Sequence, residues 1–148
     1  MAPIKSYQFV LIVLRSLLIA ATAISTAVAQ QAITVDQVVR VYDGDTITVN
    51  IDQWPAVVGQ AISVRIRGID TPEIRGQCQQ EKQQAKKARD CVKSSLSSAQ
   101  HITLTNIERG KYFRLVADVF VDDQSLAAIL LQQQLARPYD GGSRQPWC

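Results

Sequence analysis

One histidine and three cysteines are all that 148 residues offer in soft metal ligands. Cys78, Cys91 and Cys148 stand at spacings that fit no zinc pattern, and His101 opens a strand segment beside no acid or thiol. A zinc centre and histidine-based catalysis are therefore not expected. No internal repeat is visible either, which leaves a single domain. Close to half of the chain is apolar, so one core can form without a second domain.

A strong excess of positive charge is also missing. Of the 16 lysines and arginines, Lys5 and Arg15 lie in the first 29 residues, which carry no acid, leaving 14 basic against 13 acidic side chains in the remainder. Any attraction to phosphates must then come from local clusters of Lys and Arg, not from the global field.

The first 29 residues differ from the rest. An apolar run from Ser16 to Ile24 ends in Ala27-Val28-Ala29, the pattern of a secretory signal peptide cut between Ala29 and Gln30. The alternative is an uncleaved anchor over Phe9 to Val28, but Arg15 would sit at high cost inside such a span. Residues 30–148 are then the mature domain, secreted or periplasmic and without stable membrane association. In an oxidising compartment, three cysteines imply one disulfide and one thiol, with three possible pairings. Cys91 falls at the edge of a helical apolar face, which leaves Cys78 with Cys148 as the favoured pair.

Two antiparallel strands are expected over Ile33 to Val41 and Thr46 to Ile51, joined at Asp43-Gly44, a strong hairpin signal. Trp54-Pro55 interrupts, and a strand pattern resumes from Ala56 to Ile66. Its end alternates apolar and charged residues, putting Arg65 and Arg67 on one face. Ala85, Ala88, Val92, Leu96 and Ala99 recur at helical spacing and predict a helix of roughly 18 residues. Further strands are expected over Ile102 to Ile107 and Tyr112 to Val121, with Arg109-Gly110 as the turn. Ser125 then caps a second helix through Leu126, Ile129 and Leu130. Five strands with a helix after the third describe an α+β, mainly β fold: a five-stranded OB-fold Greek-key barrel with about two helices, a fold that often binds oligonucleotides.

Three short motifs carry the chemistry. Asp43-Gly44-Asp45-Thr46 puts two carboxylates at the mouth of a sheet, although Asp-Gly alone is more often a plain turn. Asp70-Thr71-Pro72-Glu73 follows the strand of Arg65, and its proline stiffens a corner where two acids converge. Asp45, Asp70 and Glu73 form a hard-oxygen set suited to calcium. Lys111-Tyr112-Phe113-Arg114 surrounds aromatics with cations at a strand start, able to receive a phosphate and stack a base.

In this order, DGDT, an arginine ahead of DTPE, then KYxR, the chain resembles the staphylococcal nuclease family from about Val38 to Ala136. The resemblance implies that Asp45 and Asp70 ligate calcium (Ca²⁺) with the backbone carbonyl of Thr71, while Asp43 acts indirectly through water. It implies that Arg65 and Arg114 grip the scissile phosphate and that Glu73 orients or deprotonates the attacking water. Lys111 and Tyr112 match nucleotide-contacting positions, and Tyr139 falls near a further binding tyrosine. The function implied is a monomeric, secreted, calcium-dependent endonuclease acting on DNA and/or RNA.

The competing readings are a catalytically inactive nucleic-acid- or protein-binding module of the same fold, and a structural interaction platform. Arg67 matches no motif position and is read as structural or as a surface residue, and Trp54 and Trp147 are read as packing residues. Phe113 stands where the family commonly has glycine, and Gln134 replaces a helix-ending glycine that would favour positive φ.

Overall fold

The computed structural model describes residues 31–148. The expected leader and its cleavage point between Ala29 and Gln30 lie outside them. Among the described residues, no helix is long and apolar enough to cross a membrane.

The strands are β1 (Ile33–Thr34), β2 (Gln37–Val41), β3 (Thr46–Asn50), β4 (Ile62–Ile66), β5 (Ile69–Asp70), β6 (Ile102–Arg109), β7 (Leu115–Val121), β8 (Gln124–Ser125) and β9 (Arg137–Pro138). The helices are α1 (Ala56–Gly59), α2 (Gln79–Ser98) and α3 (Leu126–Gln132). The main sheet runs β1-β6-β7-β4-β3-β2, with β8 on β7, while β5 and β9 pair separately. All neighbours are antiparallel except β4 and β7, which run parallel. A parallel contact between the third and fifth long strands is what the OB-fold expectation requires, and the mixed, curled sheet is consistent with that fold.

Three details of the sequence reading change. The segment from Ile33 to Val41 is two strands, because Val35 donates its backbone N–H to Ile102 and Asp36 donates to Asn50. The chain thus passes from β6 to β3 and curls the sheet toward closure. The stretch from Ala56 to Ile66 is not continuous strand: Pro55 opens the short α1, adding a third helix to the expected two, and Ala61 at φ 50° turns the chain into β4. Finally, β7 starts at Leu115, not at Tyr112, because Tyr112 and Phe113 both have φ 58° and cannot extend a strand.

The core lies between the curled sheet and the two longer helices. Ile47, Val49, Val64, Ile66, Leu104, Ala117 and Val119 fill the sheet side, and Val92, Leu96, Leu126 and Leu130 cover it. Strand β7 shows why its residues form a half-buried strand, since buried and partly buried positions alternate along its whole length. Helix α2 starts at Cys78, whose Sγ accepts from the N–H of Glu81, and it buries Ala85, Ala88, Val92 and Leu96 at the expected spacing. Its alanines allow a close approach. A Cβ on Gly44 would lie 2.7 Å from the Ala88 Cβ and 2.9 Å from Thr71 Cγ2, so only glycine lets the β2–β3 turn settle against helix and corner together.

Candidate nuclease site

Register brings the first two motifs together. Thr46 pairs with Arg65 across β3 and β4, and Ile66 donates its N–H to the Asp45 carbonyl at 2.8 Å. Asp45 therefore meets the Arg65 guanidinium, Nη1 to Oδ1 at 2.7 Å. The other end of the same guanidinium reaches the Ile69 carbonyl at 3.2 Å and Asp70 Oδ1 at 3.4 Å. Thr71 donates its N–H to Asp45 Oδ2 at 3.2 Å, which locks the corner onto the hairpin.

This cluster is buried. Asp43, Asp45 and Asp70 are 4%, 2% and 4% exposed, with Arg65 at 8% the one buried cation among them. Burial and the neighbouring Asp45 charge push the Asp43 carboxyl up to about 7, because withdrawing an anion from water and placing it beside another both disfavour ionisation. Within the buried corner three acids face one guanidinium, so even with Asp43 partly protonated its negative charge is in excess before the half-exposed Arg144 is counted, and a divalent cation would offset it. The Thr71 Oγ1 is buried in the same corner without a partner. The donors are hard oxygens throughout, and the site fits calcium on that chemistry.

Glu73 follows at the rim, half exposed. Its backbone N–H is held by Glu81 Oε1 at 3.3 Å, and Gln77 donates to Glu81 Oε2 at 2.8 Å. Glu81, buried in the first turn of α2, thus organises the loop from Glu73 to Cys78. Gly76 leaves the room it needs: a Cβ there would come within 2.2 Å of the Glu81 carboxyl carbon.

The third motif is built differently. Gly110 and Arg114 close a turn, with Lys111, Tyr112 and Phe113 exposed at its tip. Tyr112 is 93% exposed, and Arg109 lies 4.5 Å from the centroid of the Phe113 ring. Arg114 enters β7 directly before Leu115 and Val116, which pair with Val64 and Arg65. Its Nε is buried without a hydrogen-bond partner. Tyr139 is carried in by the pairing of Ile69 with Pro138 and lies under Arg65, whose guanidinium carbon is 5.8 Å from its ring.

Arg67, expected on the same face as Arg65, makes its polar contacts with β6 and β7 and not with the carboxylate corner. It reaches Glu108 at 3.3 Å and bonds the Asn106 carbonyl, filling the irregularity where β6 slips against β7. Its structural reading holds. Trp54 packs against the core as expected, but Trp147 does more than pack: its Nε1 donates to Asp70 Oδ2 at 3.1 Å, and Arg137 stacks 3.8 Å from its ring.

Arg144 is the residue that motif reading misses. Its Nε lies 3.1 Å from Asp70 Oδ1, and its Nη1 bonds Glu73 Oε1. Partial burial alone would lower the Arg144 pKa, but the Glu73 hydrogen bond and the Asp70 charge outweigh it and the pKa is raised. One signal for it was available. The Cys78–Cys148 disulfide forms as favoured, and Cys91 stays a thiol. Since Cys78 follows Glu73 closely, that pairing carries the C-terminal tail to the site.

A comparison with curated proteins finds no match to this chain. The family described as "Staphylococcal nuclease homologue" matches residues 63–146. That span takes in Arg65, Asp70, Glu73, Arg114 and Tyr139, while Asp43 and Asp45 lie ahead of it and are joined to it by the β3–β4 register. With more than half of the chain matched and the sheet order in agreement, the chain belongs to the staphylococcal nuclease family.

Proposed function

We propose that the chain is an exported, calcium-dependent endonuclease that hydrolyses phosphodiester bonds of DNA and/or RNA. The observation that carries this reading is the convergence of Asp45 and Asp70 on Arg65 in a buried corner, with Asp43 accepting from the Asp45 N–H and Glu73 at the rim. An inactive binding module has no need for that arrangement, because buried like charges cost stability unless they hold something.

Asp45, Asp70 and the Thr71 carbonyl would hold calcium, which when bound supplies Lewis-acid stabilisation of a phosphoryl oxygen. Arg65 spends only part of its donor fork on Asp45, Asp70 and Ile69, and the remaining N–H groups are free for phosphate oxygens. Arg114 supplies a second guanidinium, its unpartnered Nε suiting an anion. Negative charge that builds on equatorial oxygens during in-line attack is met by both forks, a task planar guanidiniums perform better than ammonium groups. Glu73 would orient or deprotonate the attacking water, its half-exposed position giving water access. Lys111 and Tyr112 at the open turn, and Tyr139 beside Arg65, contact the flanking nucleotide. The leader read in residues 1–29 would export the enzyme, which acts as a monomer.

The test is hydrolysis of single-stranded DNA and of RNA by the disulfide-bonded protein with calcium, with excess chelator, and in the Glu73→Gln and Arg114→Ala variants. Cleavage that needs calcium and falls by orders of magnitude in both variants is expected. A folded wild type that binds nucleic acid but cleaves neither polymer with any divalent cation gives the binding-module reading instead.

A further inference from the structure

We propose that the C-terminal strap, residues 143–148, is a working part of the site, with Arg144 as the positioning residue for Glu73 and the Cys78–Cys148 disulfide as its tether. Among the described residues, the Glu73 carboxylate has Arg144 as its one side-chain partner. Glu81 fixes the Glu73 backbone but not its side chain. A half-exposed carboxylate left alone visits several rotamers, and a charge-assisted bond to an anchored guanidinium selects one.

Arg144 is anchored because the strap is. Cys148 is joined to Cys78, Trp147 donates to Asp70, and Arg137 both stacks on Trp147 and donates to the Pro146 carbonyl at 3.1 Å. The strap walls a cleft of about 420 Å³ with Asp70, Thr71 and Glu73 on its other side. Arg144 also sets a positive charge 3.1 Å from Asp70, one of the oxygens assigned to calcium. Two opposite effects follow from removing it. Glu73 loses the group that orients it, so turnover falls. Asp70 loses a competing cation, so calcium binds more tightly. A role in packing alone produces neither.

The kinetic arm rests on the nuclease reading, whereas the calcium arm does not. In the full disulfide-bonded chain, Arg144→Gln is expected to tighten calcium binding by about 3- to 10-fold in calorimetric titration, the scale of one nearby charge in a partly solvated site. Its kcat on single-stranded DNA is expected to fall about 10- to 100-fold with KM nearly unchanged, the scale of losing a group that orients a functional side chain. Arg144→Lys should return calcium affinity to the wild-type value but restore kcat only in part, because an ammonium lacks the fork. Cys148→Ser should reproduce both Arg144→Gln effects in weaker form. Unchanged calcium affinity in Arg144→Gln overturns the proposal whether or not the wild type cleaves. So does a wild-type kcat in that variant when the parent is active. If the parent cleaves nothing, the nuclease reading fails, and the titration still decides whether Arg144 acts on the carboxylates.

Discussion

Asp45 is 2% exposed and Tyr112 is 93% exposed, yet both belong to motifs assigned to one substrate. The carboxylate corner is built from strand register: Thr46 against Arg65, Asp45 against Ile66, Thr71 against Asp45. Its carboxylates are held by backbone N–H groups, by Arg65 and, at Asp70, by Arg144 and Trp147 as well. The Lys111–Arg114 turn projects its tip into solvent and holds Tyr112 and Phe113 at φ 58°. The difference matches the work that the proposed function assigns to each. A cation and a scissile phosphate demand oxygens and guanidiniums fixed to a fraction of an ångström, which only a rigid sheet supplies. A base that stacks on an aromatic tolerates any sequence and much motion. The corner accepts destabilising buried charge for precision, and the turn gives up precision at little cost to the fold.

The largest break in this contrast is expected from Arg65→Ala. Removing the buried guanidinium leaves Asp45 without a cationic partner and Asp70 with Arg144 as its remaining one, which should destabilise the metal-free protein by about 3 kcal/mol in urea denaturation. Cleavage should fall by on the order of 10³. Unchanged stability would mean that the corner is not under electrostatic strain. Replacing Cys78 and Cys148 together by serine should cost about 2–4 kcal/mol, since the bridge closes a long loop. Its effect should be confined to the corner, and equally weakened stacking at the Tyr112 turn would contradict the separation of the two regions.

On the other side of the comparison, Tyr112→Ala should leave thermal unfolding unchanged and weaken binding of single-stranded DNA by about 1–3 kcal/mol. A drop in melting temperature would show the turn to be structural after all. The smallest effect serves as a control remote from both regions. Gln134 follows α3 at φ 57°, with the Leu135 N–H returning to the Leu130 carbonyl at 2.9 Å. Glycine adopts that conformation without strain, so Gln134→Gly should stabilise by about 1 kcal/mol with activity unaltered. A loss of stability there would remove backbone strain as an explanation of the site.

Legibility in the sequence followed the range of the interactions. Helix α2 was readable because Ala85, Ala88, Val92 and Leu96 repeat within a single segment. The DGDT hairpin was readable because turn chemistry is local. The start of β7 was misplaced because Tyr112 and Phe113 favour strands by residue type, while closure of the Gly110–Arg114 turn forces both to positive φ. The split of the first strand could not be read either, as its two halves answer to different partners, β6 and β3.

By itself, the sequence determined which chemistry is available: hard-oxygen donors, guanidiniums and exposed aromatics in a fixed order, without a soft-metal set. It determined the local elements too, since periodicity and turn residues act over a few positions. Only the tertiary structure decided which of those residues meet. Arg65 faces Asp45 through strand register, and Arg67, two positions on, leaves for Glu108 where the strand has ended. Arg144 and Trp147 reach Asp70 from more than seventy residues away because a disulfide and a stacked arginine hold the tail there. Contacts of that separation depend on the closed geometry of the whole fold, and no pattern within one segment encodes them.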